Sequence, residues 1–314
     1  MTRTFIFTIC SALFVFTSCQ KDKENDADAL EYTVGKNEYN IELGDTLRNF
    51  LIHVPESYDE TNTVPLVLML HGSTGSGTKF YNISGWVEKA DEEGFIAVFP
   101  TGLEYPIVAT NRMSTKWSSD GLEKDIPPGY PIYDDIPFFR ELIDLCKTTF
   151  NIDAKRIYIS GFSNGGGFVK SRVMPEMDDV FAAASSGGGM GLPVVETPLH
   201  GKYMPLYTFT GTKDQEIIKS AGIMEELPFT YEDLANIPAI KERLDLQLQS
   251  LMLGNSYTEE PNPPAGNVIV FADDLSGQGN EFRLMMVNEL EHNYPNGQNN
   301  PHGVVAVDLS LIHI

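Results

Sequence analysis

Apolar residues in this chain come in short unbroken runs bounded by turn-forming clusters, the pattern of strands buried on both faces. The runs NFLIHVP (49–55), VPLVLMLHG (64–72), GFIAVFP (94–100), RIYIS (156–160), VFAAASS (180–186), YMPLYTFTG (203–211), NVIVF (267–271) and RLMMVN (283–288) are predicted as strands. Between them, Ile136, Phe139, Leu142, Ile143, Cys146 and Phe150 recur at helical spacing, and shorter helices are predicted at 86–92 and from Asn164 towards Met174. A last helical stretch runs from about Tyr231 to Leu253, with Thr230 as N-cap and with Pro238 predicting a kink or a later start. Strands alternating with helices imply an α/β fold, a mainly parallel central sheet with helices on both faces.

The 314 residues, 42% of them apolar, suffice for one large α/β domain with a substantial core. A net charge of -22 argues against nucleic acid as a partner, because phosphate contacts need clustered Lys and Arg. The first residues, MTRTFIFTICSALFVFTSC, place one Arg before an apolar run and the small pair Thr17 and Ser18 before Cys19. This reads as a bacterial lipoprotein signal over 1–18, with Cys19 acylated after cleavage and 19–30 as a charged, flexible tether. An ordinary secretory signal cut near Cys19 is the alternative, and either makes the protein exported. Beyond Cys10 and Cys19 only Cys146 remains, on the apolar stripe of a predicted helix, so packing is its expected role. No Cys or His spacing suggests a metal, and no cofactor is expected.

The segment ISGFSNGGGF (159–168) holds Gly161-Phe162-Ser163-Asn164-Gly165, a G-x-S-x-G match between a predicted strand and a predicted helix. In that setting the serine is a nucleophile on a sharp turn, and the flanking glycines are small because a Cβ would strike the neighbouring strand or helix. Neither a dinucleotide fingerprint nor a Walker pattern is present to support a phosphate loop. A serine nucleophile needs an acid and a histidine later in the chain, each just past a strand. TFTGTKDQEI offers Asp214, with Glu216 as a near alternative and Asp273 or Asp274 one strand later. RLMMVNELEHNYPNG offers His292, with His302 as its rival. Backbone N–H groups of Asn164 and of the LHGSTGSG loop (70–77), Ser73 before Thr74, would form the oxyanion hole.

Together VPLVLMLHGSTGSG, SGWVEKADEEGFIAVFPTG, YDDIPFFRELIDLCKTTFNIDAKRIYISGFSNGGGF, TGTKDQEI and EHNYPNG resemble esterases of the poly(3-hydroxybutyrate) depolymerase and feruloyl esterase type, within the α/β-hydrolase superfamily. The resemblance spans about 48–297 and implies a secreted serine hydrolase of carboxylic esters with Ser163, Asp214 and His292 at the catalytic positions. Tyr294 stands where the family often has Trp, a change expected to reshape the cleft wall. Relatives continue into a final helix, whereas here LSLIHI (309–314) reads as one frame of a transposon-end sequencing adapter. The expected catalytic domain is therefore 31–308, truncated at its C-terminal end.

These readings point to an exported, lipid-anchored ester hydrolase whose partner is an ester substrate, plant cell-wall feruloyl or acetyl groups first and hydroxybutyrate polyester or oligomers second. Serine peptidase activity, or non-catalytic glycan binding on a hydrolase fold, are the alternatives; neither a gating domain nor a lost triad member supports them.

Overall fold

The computed structural model describes residues 29–189, 197–228, 230–262 and 266–300. The signal segment, Cys19, all but the end of the tether, His302 and residues 309–314 lie outside the described residues. Leu30, at the tether's end, already packs on the core and donates its N–H to Thr149 Oγ1 at 3.0 Å. No helix among the described residues is long and apolar enough to cross a membrane.

The strands are β1 (Gly35–Leu43), β2 (Thr46–Val54), β3 (Val64–Leu70), β4 (Ile96–Pro100), β5 (Leu103–Ile107), β6 (Arg112–Lys116), β7 (Ile152–Phe162), β8 (Ala183–Gly187), β9 (Leu206–Gly211), β10 (Thr258–Asn262), β11 (Gly266–Phe271) and β12 (Phe282–Val287). Ten of them form one sheet in the order β1-β2-β4-β3-β7-β8-β9-β12-β11-β10, while β5 and β6 pair separately as a hairpin. The centre, from β4 to β12, is parallel. Both margins are antiparallel, so the NVIVF strand, β11, lies against its neighbours in the opposite sense from the parallel core.

The helices are α1 (Gly77–Ile83), α2 (Trp86–Glu93), α3 (Leu122–Asp125), α4 (Ile136–Thr149), α5 (Asn164–Phe168), α6 (Met174–Glu176), α7 (Gln215–Ala221), α8 (Tyr231–Ala235) and α9 (Pro238–Ser250), with a π-helical turn at Val169–Val173 joining α5 to α6. Phe80, Trp86 and Ala90 of α1 and α2 pack with Val67, Phe99 and Met285 on one face of the sheet. On the other face Phe138, Leu142, Phe168, Ile217, Ile240 and Leu244 join the larger cluster with Leu66 and Ile159. Cys146 is buried in that cluster, and burial pushes its thiol up to about 12, which suits packing rather than chemistry.

Thr230 caps α8 by accepting the N–H of Asp233, the chain breaks, and Pro238 opens α9 at the position where a missing N–H costs nothing. Leu234, Ile240, Leu244 and Leu248 then enter the core, so these helices form part of the layer that covers the sheet.

Candidate active site

Neighbouring strands β3 and β7, with Leu70 opposite Gly161, send the chain in opposite directions, to β4 on one side and to β8 on the other. Their carboxyl ends therefore form a topological switch point, where open α/β sheets bind ligands. Ser163 stands there at φ 52° and ψ -116°, in a region that residues with a Cβ seldom enter. Its N–H donates to the Gly187 carbonyl at the end of β8, at 2.8 Å. A Cβ on Gly161 would lie 2.5 Å from the Gly165 carbonyl, and one on Gly165 would lie 2.5 Å from the His71 carbonyl oxygen. The glycine spacing thus has the steric cause expected from the sequence.

Asp214 and His292 come from adjacent parallel strands. Beyond β9 and β12 the two loops are laced together: Thr212 N donates to Val287 O at 3.0 Å, Lys213 N to Leu290 O at 3.0 Å, and Glu289 N to Thr212 Oγ1 at 2.8 Å. His292 Nδ1 lies 3.0 and 2.9 Å from the two carboxylate oxygens of Asp214, and its Nε2 lies 2.9 Å from Ser163 Oγ. An ionised carboxylate only accepts, so Nδ1 carries the proton and Nε2 is left to accept from the serine hydroxyl. Burial disfavours the imidazolium, but the hydrogen bond and charge of Asp214, joined by the charge of Glu216, outweigh it and hold the His292 pKa above its ordinary value.

The loop after β3 lies against Ser163: a Cβ on Gly72 would be 3.0 Å from Ser163 Cβ. Thr74 N donates to Thr115 O at 3.0 Å, which leaves Ser73 as the oxyanion candidate from this loop. Asn164 is the first residue of α5, where an N–H has no acceptor within the helix.

Several residues that sequence reasoning passed over hold this corner. His71 is fully buried; its Nδ1–H donates to Gly72 O at 2.7 Å and its Nε2 accepts from Gly102 N at 2.9 Å. Burial pushes its pKa down to about 4, so it is a neutral strut. Trp117 donates from Nε1 to His71 O and from its backbone to Asn164 Oδ1, both at 2.8 Å. A lone tryptophan in an otherwise polar loop was the available signal. Lys170, on the π-helical turn, buries its ammonium and donates to Gly189 O at 2.5 Å, just past the strand end that receives Ser163 N. Tyr294 does not shape the cleft wall as expected; it is buried under the His292 loop, edge-on to Phe162, and accepts from Trp86 Nε1 at 2.9 Å.

Asp274, an alternative acid one strand later, is engaged elsewhere. Asp274 holds a turn through Ser276, Gly279 and Asn280, and His53 on β2 bridges Tyr81 and Asp91. Asp178, Asp179 and His200 bring three ligand atoms within 4.8 Å of one another. Asp178 takes the N–H groups of His200 and Lys202, and Asp179 is gripped by both arms of Arg140, so these donors are spent in tying the loop at 200–202 to the body.

The family model named Esterase, described as "Putative esterase", matches residues 43–170, the span from β2 through the elbow. The match covers 128 of the chain's 314 residues, and over that span the chain is similar to this esterase family. The chain is 29% identical over 180 residues to the "Bifunctional acetylxylan esterase/xylanase XynS20E" of Neocallimastix patriciarum, covering 57% of this chain and 23% of that protein. It is 25% identical over 194 residues to "Feruloyl esterase B" of Piromyces equi, covering 60% of this chain and 34% of that protein. The chain thus spans about a quarter to a third of the length of these curated relatives. Among solved structures, an acetyl xylan esterase from Aspergillus awamori shares the fold at a TM-score of 0.50 and 14% identity, over 82% of this chain and 94% of that chain.

Proposed function

We propose that the protein is an exported serine esterase, with 31–308 as its catalytic domain, that hydrolyses acetyl or feruloyl esters of plant cell-wall xylan through an acyl-enzyme. The observation that carries this reading is the unbroken hydrogen-bond chain from Ser163 through His292 to Asp214, set on a strained turn at the switch point of the sheet. The relatives named for acetylxylan and feruloyl ester cleavage support the substrate class. The segment before Cys19 supports export, with Cys19 as the site of a lipid anchor that ties the enzyme to a bacterial membrane or cell surface.

Ser163 Oγ attacks the ester carbonyl carbon while His292 Nε2 takes the hydroxyl proton, and Asp214 holds the imidazolium that results. The N–H groups of Ser73 and Asn164 bind the negative oxygen of the tetrahedral intermediate. His292 returns the proton to the alcohol oxygen as the C–O bond breaks, and the acyl group stays on Ser163. Water then attacks this acyl-enzyme, giving its proton to His292. Collapse frees the carboxylic acid and restores the Ser163 hydroxyl. Every proton transfer runs through His292, and the scheme uses neither cofactor nor metal.

The test is hydrolysis of methyl ferulate, acetylated xylan and p-nitrophenyl acetate by the protein and by Ser163→Ala, with circular dichroism to show both folded. Turnover of ferulate or acetyl-xylan that is lost in Ser163→Ala supports the reading; turnover of hydroxybutyrate oligomers in their place moves the substrate to polyester. A folded protein inert on all of them, yet binding xylan, would make it a glycan-binding protein. Labelled palmitate incorporation lost in Cys19→Ser tests the anchor.

A further inference from the structure

We infer that Thr115, near the end of β6, and Trp117, just past it, are positioning residues that set the width of the oxyanion hole by clamping both of its arms. The inference rests on the esterase reading and deepens it, since nothing in the reaction scheme itself uses this segment.

One arm is the loop after β3. Thr115 O accepts Thr74 N at 3.0 Å, Thr115 Oγ1 donates to Gly75 O at 2.6 Å, and Trp117 Nε1 donates to His71 O at 2.8 Å. Three hydrogen bonds from two residues therefore bracket Gly72 and Ser73 on either side. The other arm is the start of α5. There Asn164 Oδ1 accepts Trp117 N at 2.8 Å, and Asn164 Nδ2 donates to Ser119 Oγ at 2.8 Å. Trp117 thus touches both arms, one with its indole and one with its backbone. Its ring is fully buried and leans on His71 at 4.9 Å, Phe139 at 5.5 Å and Phe168 at 6.1 Å, so it has no freedom to follow one arm alone. The segment is anchored in turn from behind, where Ser118 N donates to Asp135 Oδ2 at 2.7 Å and Ser118 Oγ accepts Asp135 N at 3.0 Å.

Preorganised donors stabilise an oxyanion only when they are held at the distance that the transition state requires. The pairing of β3 with β7 ends at Leu70 and Gly161, before either N–H group, and the Thr115–Trp117 segment bridges the two arms beyond that point. Loosening it affects the charge that develops in the transition state more than the neutral ester in the ground state, which predicts a fall in kcat with little change in KM.

The experiment compares Trp117→Phe, which keeps an aromatic ring and deletes the Nε1–H, with Thr115→Val, which keeps the shape and deletes the Oγ1 bond to Gly75. Active sites are counted by fluorophosphonate labelling of Ser163, so that kcat refers to competent molecules and not to the folded fraction. In each variant we expect kcat per labelled site on p-nitrophenyl acetate to fall about 10-fold or more, short of the ~10²–10³ that follows outright loss of a donor. KM should hold, and affinity for a trifluoromethyl ketone, which becomes a tetrahedral oxyanion on Ser163, should fall by the same factor as kcat. Unchanged kcat per labelled site and unchanged ketone affinity in Thr115→Val would overturn the inference even if Trp117→Phe fails to fold. Wild-type turnover that does not depend on Ser163 would remove the esterase reading and the inference together, a separate outcome visible before any variant is compared.

Discussion

The carboxylate of Asp214 faces two ways at once. Its Oδ1 accepts the N–H groups of Glu216 at 3.1 Å and Ile217 at 3.2 Å as the N-cap of α7, while the same carboxylate meets His292 Nδ1 at 2.9 and 3.0 Å. In the proposed mechanism, the residue that orients the base is therefore also the residue that starts the helix behind it. Asparagine caps helices as well as aspartate does, but its amide lacks the charge and presents a donor as well as an acceptor to the imidazole. Asp214→Asn should keep the melting temperature near that of the parent and lose roughly 10⁴ in kcat. Asp214→Ala should lose the activity and, in addition, about 1 kcal/mol of stability from the missing cap. Thermal melts beside kinetics on p-nitrophenyl acetate separate the two jobs.

Glu216 makes the acid side of the pH profile informative. Its charge is one of the causes that raise the His292 pKa, behind the hydrogen bond and charge of Asp214. The base works only as neutral imidazole, so a raised pKa moves the acidic limb of kcat/KM to higher pH than an ordinary histidine would give. Glu216→Gln removes one raising charge and leaves the Asp214 contact, so the limb should move to lower pH with the plateau rate unchanged. A collapse of the plateau instead would show Glu216 to be the orienting acid.

How far the site could be read from the chain follows from which interactions are local. All eight expected strands exist, because each is a continuous apolar run buried between neighbours in the sheet. β1 was not visible: GKNEYNIEL is polar at every second position and only its pairing with β2 makes it a strand. β10, TEEPN, escaped for the same reason. Ser163, Asp214 and His292 were legible because chain order and strand ends restrict where such groups can sit, and the structure brings these three together. The struts were not. His71 and Trp117 are 46 residues apart and meet through a carbonyl and a ring contact, relations that no spacing encodes.

The glycine run after the nucleophile divides sharply in its tolerance. A Cβ on Gly165 would lie 2.5 Å from the His71 carbonyl oxygen and one on Gly166 2.6 Å from Ser186 Oγ, whereas a Cβ on Gly167 meets nothing within 4 Å. Gly165→Ala should cost about 1–3 kcal/mol, the usual range for forced overpacking, because its obstacle is the backbone just past β3 and cannot rotate away. Gly167→Ala should be neutral or stabilising by up to ~1 kcal/mol, since alanine suits a helix better and restricts the unfolded chain. Urea denaturation of the two variants checks the contrast, and equal losses would show that the elbow needs glycine for some reason other than space.

Behind the elbow, Arg48 and Asp135 form an ion pair at 2.5 Å with each side chain only 1% exposed, and the guanidinium also lies 4.0 Å above the Phe138 ring. Burial raises the Asp135 pKa against the opposing pull of Arg48, so the carboxylate is not at ease there even when paired. Removing one partner leaves the other charge buried alone, and Asp135→Ala should cost roughly 3–5 kcal/mol. Replacing both by apolar residues of similar size, Arg48→Met with Asp135→Leu, removes both desolvation costs and should recover most of that loss. It cannot restore the acceptor for Ser118 N, whose unmet hydrogen bond should keep a deficit of about 1–3 kcal/mol. If the pair's main work is to hold the Ser118 segment, the double variant will recover stability to within that deficit yet remain slower in kcat. Equal recovery of stability and kcat would instead assign the ion pair to the core alone, because a merely structural pair leaves turnover intact once the fold is restored.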